Sequence, residues 1–250
     1  MSLTGRDILV RLLSILALLA VWEVSARIAA SPLLPSATAV LALLGQEIAG
    51  GRLPHEVGVT LLRVAASFVL AMVSGTALGL AMGRWRMVDQ FFDSWLTALL
   101  NLPALVLIVL LYVWFGLNDA SAIAAVALNK LPATAVTVRE GARALDRNLL
   151  EMAEAFQVPH GRRLAHVVLP QLYPYLFAAA RSGLALIWKI VLVVELLGRS
   201  NGVGFEIQLY FQQFDVAHIL AYSLAFMIVV QLIEWLVLNP LERRAVRWRP

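Results

Sequence analysis

The chain has 250 residues, of which 61% are apolar and only 14% carry a formal charge. A soluble domain has about 45–50% apolar and about 25% charged residues, so too little polar surface is available here to cover a water-facing globule. The absence of cysteine excludes a secreted disulfide scaffold, and the net charge of +4 is spread between apolar blocks, which indicates no nucleic-acid partner. We therefore predict an all-α integral membrane protein in contact with a lipid bilayer.

Six apolar runs are long enough to cross the hydrocarbon of a membrane as helices. In chain order they are Ile8–Ala29, Thr60–Met82, Trp95–Phe115, Ala120–Val138, Tyr173–Leu197 and Ala217–Leu238. Asn129, Lys130 and Pro132 interrupt the fourth run, which is the weakest. The first run also has features of a cleaved signal peptide, but five further runs follow it, which favours a retained span.

The positions of the basic residues predict the orientation of the chain. If the N-terminus is cytoplasmic, only Arg52 and Arg199 lie outside, against twelve arginines inside. These twelve are Arg6, Arg84, Arg86, Arg139, Arg143, Arg147, Arg162, Arg163, Arg243, Arg244, Arg247 and Arg249. Because cytoplasmic loops carry an excess of Lys and Arg, both termini are predicted to be cytoplasmic.

A short helix is predicted outside the membrane, between the first two spans. Ser36 is a suitable N-cap, and the pair Gly50-Gly51 marks the end of the helix. Apolar residues recur at helical spacing at Val40, Leu41, Leu44 and Ile48. About 13 residues cannot cross the bilayer, so this amphipathic helix is expected to be interfacial or packed on protein.

Three glycines lie four residues apart along one face of the second span: Gly75, Gly79 and Gly83. Small residues let another helix approach closely, because lipid provides no hydrophobic drive for helix association. We predict close helix packing at this face. Static packing is favoured over a sliding seam used in alternating access.

Residues 139–172 form the one long polar stretch expected in the cytoplasm. Asn148, followed three residues later by Glu151, predicts the N-cap of a short helix. The apolar stripe of that helix comprises Leu149, Met152, Ala153 and Phe156. Val158-Pro159 should end it, and a second short helix is predicted before Leu169-Pro170 leads into the fifth span. From these residues alone, a solvated connector and a docking surface are equally open.

Charged residues within the predicted spans are candidates for a translocation pathway. Lys130 and Lys189 lie well inside the fourth and fifth spans, where an uncompensated charge costs at least about 2.5–3.5 kcal/mol. We expect them to face a cavity or a partner, and one hypothesis is that they favour an anionic substrate. Snorkelling or structural pairing is an equally open alternative. Glu195 lies six residues beyond Lys189 on another helix face, which argues against a pair between them.

The sequence contains no pattern typical of an enzyme active site. There is no GxxxxGK[ST] loop, no nucleophile elbow and no acidic partner at metal-binding spacing around the four histidines. We predict no catalytic residue, no metal site and no cofactor bound by this chain.

Several motifs resemble one family of transport proteins. Glu151-Met152-Ala153, with Leu169-Pro170 and Pro174, resembles the EAA motif of binding-protein-dependent ABC importer permeases of the nitrate/sulfonate/taurine type. Further matching segments between about residues 30 and 235 are Leu34-Pro35-Ser36, Thr60-Leu61-Leu62-Arg63-Val64, Leu78-Gly79 through Gly83, Asn101-Leu102-Pro103, Trp114-Phe115-Gly116, Gly141, Glu195 and Gly202-Val203-Gly204. Gln157 stands where the family has a glycine, so the turn there is expected to be made by Pro159 and Gly161.

The resemblance implies a type I ABC importer permease fold with six transmembrane helices in a bacterial inner membrane. A cytoplasmic coupling helix would sit in a groove of a separate ATPase, formed by Glu151, Met152, Ala153, Ala155, Phe156, Gln157, Gly161 and Pro170. The pathway candidates are Asn101, Lys130, Lys189 and Glu195. The implied partners are an ABC ATPase dimer that uses ATP and Mg, a second permease copy forming a homodimer, and a periplasmic or extracellular substrate-binding protein.

The whole chain is interpreted as a single transmembrane domain, residues 1–250. Residues 1–59 would form the first span and the external helix, 60–238 the permease core with the coupling loop at 139–172, and 239–250 a basic cytoplasmic tail. The resemblance implies import of a small anionic solute such as nitrate, a sulfonate or taurine. Two alternatives remain: an ion-coupled secondary transporter that relays protons or ions through Glu23, Glu195 or Lys189, and a membrane scaffold without transport.

Overall fold

The computed structural model describes residues 5–238 and 240, with the backbone alone for residues 5–8, 11, 12, 237 and 238. The predicted basic tail, residues 239–250, therefore lies outside the described residues except for residue 240. Within the described part every regular element is helical, which confirms the all-α prediction. The elements are α1 Gly5–Ala29, α2 Ala37–Ala49, α3 Arg52–Arg84, α4 Arg86–Asn101, α5 Ala104–Phe115, α6 Asp119–Arg143, α7 Arg147–Ala155, α8 His160–Arg163, a π-helical turn Leu164–Val168, α9 Leu169–Gly198, α10 Val203–Gln212, α11 Val216–Ile233 and a second π-helical turn Glu234–Leu238.

Most of the predicted spans coincide with single helical runs. Among the described residues, four runs are long and apolar enough to cross a membrane: Arg52–Arg84, Asp119–Arg143, His160–Gly198 and Val216–Leu236. They correspond to the second, fourth, fifth and sixth predicted spans. The first predicted span lies within α1, a helix of 25 residues.

The third predicted span is not one straight helix. Leu102 and Pro103 separate α4 from α5, and the axes of the two helices differ in direction by 101°. Leu102 is extended, with φ −77° and ψ 122°, because the residue before a proline disfavours the helical region. The apolar run predicted from Trp95 to Phe115 is therefore present, but it is divided into two helices at Leu102 and Pro103.

The main core lies where α3, α6 and α9 meet the helices around them. Its fully buried side chains include Ile108 of α5, Val126 of α6, Ile187 of α9 and Tyr222 of α11. A smaller apolar cluster joins Met82 to Leu96 and Ala135 on α3, α4 and α6. The larger of the two clusters therefore joins α5, α6, α9 and α11.

The short helix predicted between the first two spans is α2, and it has the predicted cap; its position outside the membrane stays a prediction. The backbone N–H of Ala39 donates to Ser36 Oγ at 3.2 Å, and Gly50 caps the C-terminal end. Val40 and Leu44 are buried against the bundle, while Leu41 and Ile48 are about half exposed. One face of α2 thus packs on protein.

Candidate functional site

The first candidate site is the polar segment between α6 and α9, residues 146–168, here called the loop segment. Its first helix, α7, begins at Arg147 and is capped by Asp146, whose side chain accepts from the N–H of Asn148 at 2.8 Å. The prediction that Asn148 is the N-cap is therefore wrong by two residues. Asp146 provides the same physical solution, since its carboxylate satisfies one of the unpaired N–H groups of the first turn.

Gln157 makes the turn that follows α7. Its φ is +53°, in the left-handed region that glycine adopts most easily. The N–H of Gln157 donates to Glu154 O at 2.9 Å, and the N–H of Val158 donates to Ala153 O at 2.9 Å, so the chain closes in the manner of a helix C-cap. The expectation that Pro159 and Gly161 form this turn is wrong, because Pro159 caps α8 and Gly161 lies within it.

The second short helix predicted in this segment is not separate from the fifth span. From α8 the backbone continues through the first π-helical turn into α9, giving one helical run of 39 residues from His160 to Gly198. The π-helical turn directly precedes Leu169-Pro170, where the proline has no N–H to donate. Only α7 is thus an independent helix, and the rest of the loop segment extends the fifth span.

The loop segment presents an exposed apolar surface. Phe156 is 78% exposed and Met152 is 52% exposed, while Ala153 of the same stripe is buried. The other predicted coupling residues, Glu151, Ala155, Gln157, Gly161 and Pro170, are also exposed. A surface of this kind on a polar segment is typical of a contact with another protein.

Hydrogen bonds fix the base of this surface to α9. Gln171 Oε1 accepts from the N–H of Asp146 at 2.8 Å, and Gln171 Nε2 donates to Val167 O at 2.8 Å. An ion pair of 3.6 Å joins Glu154 to Arg163. Both ends of α7 are therefore connected to the long helical run.

The three spaced glycines lie against α6. A Cβ atom at Gly75, Gly79 or Gly83 would lie 2.7, 2.5 or 2.4 Å from an atom of Thr134, Ala135 or Ala142, respectively. Such contacts are shorter than any real Cβ tolerates, so α3 and α6 approach each other at a distance that only glycine allows.

The four pathway candidates lie in different surroundings. Lys130 is buried between α6 and α9, where its Nζ donates to Ser182 Oγ at 3.2 Å. Lys189 is exposed and lines a cavity of about 490 Å³ between α9 and α11. Asn101 is exposed at the end of α4 and donates to Thr97 O at 2.7 Å. The two lysines are thus not part of one site in this conformation.

Glu195 belongs to a second candidate site at the opposite end of α9. We call it the Arg63 cluster, comprising Thr60, Arg63, Asp119, Glu195 and Asn201. Arg63 is 4% exposed and donates to Glu195 Oε1 at 2.7 Å, to Asp119 Oδ1 at 2.8 Å, and to both oxygens of Asn201. Thr60 Oγ1 donates to Glu195 Oε2 at 2.9 Å. Glu195 is 0% exposed, so its pathway role stays a prediction that this conformation does not display.

The turn between α9 and α10 packs directly against the same cluster. Gly202 has a φ of +100°, and a Cβ there would lie 2.4 Å from the carboxylate of Glu195. The N–H of Gly204 donates to Glu195 Oε2 at 2.9 Å, and that of Gly202 donates to Glu56 Oε2 at 2.5 Å. Glycine is required here because the backbone, not a side chain, contacts the buried acid.

Arg63 is the functional candidate that the sequence patterns did not single out. It lies inside the second predicted span, so the argument that a charge in hydrocarbon needs a partner applied to it as much as to the two lysines. Its partner Glu195 is 132 residues away, which no local spacing reveals.

A third cluster of polar side chains is formed by residues of α2, α3, α10 and α11. Tyr222 donates to Glu47 Oε2 at 2.8 Å, and Arg52 pairs with Glu206 at 3.0 Å. Burial raises the pKa of Glu206 despite this ion pair. Asp215 caps α11; burial opposes its ionisation, but hydrogen bonds from His218 outweigh burial and lower the pKa of Asp215. Within the described residues, no group of His, Asp and Glu could hold a metal ion.

Comparison with known proteins connects these sites to one family. The profile described as binding-protein-dependent transport system inner membrane component matches residues 59–239, which is most of the chain. A putative aliphatic sulfonates transport permease of Bacillus subtilis (strain 168) is 26% identical over 234 residues, covering 93% of this chain and 84% of that protein. The taurine transport system permease of Escherichia coli (strain K12) is 26% identical over 194 residues, covering 78% of this chain and 70% of that protein.

A solved structure has the same fold. The inward-facing MetNI methionine ABC transporter superposes with a TM-score of 0.64 at 19% identity, covering 80% of this chain and 99% of that chain. The present chain thus has a type I ABC importer permease fold. Its broken third span and its glycine seam, the contact of Gly75, Gly79 and Gly83 with α6, belong to that fold. Because the family profile covers far more than half of the sequence, the chain belongs to the family of inner membrane components of binding-protein-dependent transport systems.

Proposed function

We propose that this chain forms the translocation pathway of an ATP-driven importer and that its loop segment docks on a separate cytoplasmic ATPase. The observation that carries the proposal is the exposed apolar pair Met152 and Phe156 beside Glu151 on a helix attached at both ends. A docking surface that transmits force must not bend, and the Asp146 cap and the Gln171 bonds meet that requirement.

The proposed assembly contains subunits other than this chain. An ATPase dimer would bind and hydrolyse ATP with Mg, a second copy of this chain would complete the pathway as a homodimer, and an external substrate-binding protein would deliver the solute. The assembly would lie in the bacterial inner membrane with both termini of this chain in the cytoplasm. The excess of arginine in the predicted cytoplasmic segments, twelve against two outside, supports that orientation.

The proposed solute is a small anion of the sulfonate class. The two curated relatives are described as permeases for aliphatic sulfonates and for taurine, which is itself a sulfonate. In this chain, the exposed Lys189 lines a cavity of about 490 Å³, and a basic group at that position favours an anion. Lys130 is buried elsewhere, so the proposal rests on Lys189.

Family membership favours ATP-driven import over the ion-coupled alternative. Glu195, the acid that an ion relay would use, already accepts from Arg63, Thr60 and Gly204. A carboxylate held by three donors is poorly suited to exchange protons during each transport cycle.

Co-purification with the ATPase tests the docking proposal. We expect Phe156→Asp, and independently Glu151→Arg, to abolish recovery of the ATPase with the tagged chain, because a charge would be introduced or reversed in the contact. Phe214→Asp is the matched control, since Phe214 is 75% exposed on a different loop against 78% for Phe156. Phe156→Asp and Glu151→Arg should still insert normally into the membrane, and the Phe214→Asp control should retain the ATPase. Undiminished co-purification with both Phe156→Asp and Glu151→Arg would refute the docking role.

Uptake by a Lys189→Met variant tests the cavity. The substitution removes the charge and keeps a chain of similar length, so uptake of an anionic substrate should fall while ATPase binding is retained. Unaltered uptake together with unaltered substrate preference would remove Lys189 from the pathway.

A further inference from the structure

The Arg63 cluster connects more elements than any simple ion pair would. The guanidinium of Arg63 joins α3 to the start of α6 through Asp119, to α9 through Glu195, and to the following turn through Asn201. Thr60 and Glu56, about one and two turns earlier on α3, accept from the N–H groups of Val203 and Gly202 in the same region, and Thr60 also donates to Glu195. Four separate parts of the chain therefore meet around one side chain.

Thr60, Arg63 and Glu195 at the centre of the cluster are buried and fully engaged, whereas Asp119 at its edge is exposed. Both carboxylate oxygens of Glu195 accept hydrogen bonds, and no part of that residue is exposed. Separating Arg63 from Glu195 would leave the fully buried carboxylate of Glu195 without a cationic partner, which is strongly unfavourable. The four connected parts are consequently expected to move together and not past one another.

One helical run connects this cluster to the loop segment. The run from His160 to Gly198 has 39 residues, so at a rise of 1.5 Å per residue its length is about 58 Å. Its first turns follow α7, and its last turn carries Glu195. A displacement of the loop segment therefore has a direct mechanical path to the Arg63 cluster.

We infer that Arg63 is a positioning residue for transport, because it makes the adjoining ends of α3, α6, α9 and α10 one rigid block that α9 moves when the loop segment is displaced. This inference rests on the proposed function. The block would change its position as a unit, and its internal hydrogen bonds would stay intact through the cycle.

Transport per ATP hydrolysed is the measurement that separates positioning from folding. In proteoliposomes containing the permease, its ATPase and its binding protein, Arg63→Gln should retain ATP hydrolysis while transport per ATP falls by about tenfold, within the usual range of coupling between distant sites. The double variant Arg63→Gln with Glu195→Gln leaves no unpaired charge between these two residues, so it should assemble even if the single variant does not, and its transport per ATP should also be low. Arg27→Gln is the control, since Arg27 pairs with Glu23 on an exposed surface.

A crosslink across the block gives an independent test in the otherwise unaltered chain. The sequence has no cysteine, so Arg52→Cys with Glu206→Cys provides a single thiol pair where α3 and α10 form an ion pair. Joining the two thiols with a bifunctional reagent should leave uptake unchanged, because both belong to the same block. Loss of uptake on crosslinking would overturn the inference, as would normal transport per ATP in the assembled double variant. In either case ATPase binding through the loop segment would persist, so the proposed function would be judged separately.

Discussion

The two ends of α9 solve opposite physical problems. At one end, the Arg63 cluster buries an arginine and a glutamate and satisfies the glutamate with three donors. At the other end, α7 leaves Phe156 and Met152 largely exposed and is attached mainly through Gln171. The first site has its partners within the chain, whereas the second leaves an apolar surface exposed.

This difference indicates how substitutions at the two sites affect the protein. Breaking a bond in a saturated buried cluster leaves charges without partners, so the cluster resists deformation. The loop segment buries few side chains, so a substitution on its exposed face removes little of the chain's own stability. The comparison predicts that substitutions at the Arg63 cluster affect stability first, whereas those on α7 affect association first.

Arg63→Ala should have the largest effect on stability. It leaves the buried Glu195 without its cation, and removal of one partner from a buried ion pair costs about 3–5 kcal/mol. Thermal unfolding in detergent, followed by intrinsic tryptophan fluorescence, should show a clear decrease in midpoint. Arg27→Gln, in the exposed pair with Glu23, should change the midpoint little, because exposed ion pairs contribute about 0–1 kcal/mol. Equal midpoints for the two variants would mean that burial does not distinguish the pairs.

Gly79→Ala should have the next largest effect, because the packing of α3 on α6 has no space for a methyl group. The new Cβ would lie 2.5 Å from the backbone oxygen of Ala135, and overpacking of this kind costs about 1–3 kcal/mol. Gly58→Ala on the same helix is the matched control, since no atom lies within 4 Å of its Cβ. That substitution should stabilise α3 by about 0.5–1 kcal/mol. A decrease in the unfolding midpoint for Gly58→Ala as large as that for Gly79→Ala would contradict the role assigned to the seam.

Local patterns predicted the elements whose determinants are adjacent in sequence. Three such features were predicted from the sequence, because each depends on residues within one or two turns. They are the Ser36 cap, the end of α2 at Gly50 and the spacing of Gly75, Gly79 and Gly83. The spans were readable because hydropathy requires no knowledge of contacts.

Features that depend on contacts between residues distant in sequence could not be predicted from local patterns. Pro103 breaks a predicted span while Pro132 lies inside the continuous helix α6, so the residue type alone does not decide the outcome. The partner of Glu195 is Arg63, 132 residues earlier, and only the fold brings them together. Residues that are far apart in sequence therefore form the most constrained site of the molecule.

Asp146→Ala should weaken α7 without affecting the Arg63 cluster. Loss of an N-cap side chain costs about 1 kcal/mol, here through the bond to the N–H of Asn148. Hydrogen exchange of the α7 amides should accelerate by about fivefold, which corresponds to that free energy. Asp146→Asn retains a capping oxygen and should exchange at nearly the parent rate. Fast exchange in both variants would show that the charge of Asp146, not its cap, holds α7.

Gln157→Gly should have the smallest effect, with the opposite sign. Gln157 has a φ of +53°, a conformation that costs a residue with a side chain about 1–2 kcal/mol and glycine almost nothing. Because glycine also gains freedom in the unfolded chain, we expect a net stabilisation of α7 of about 0.5–1 kcal/mol, seen as slower amide exchange. Gln157→Val should accelerate exchange, since a β-branched residue is poorly tolerated at positive φ. If the glycine variant exchanges faster than the parent, the Gln157 side chain itself stabilises the turn, and this chain maintains the geometry by a contact that glycine cannot make.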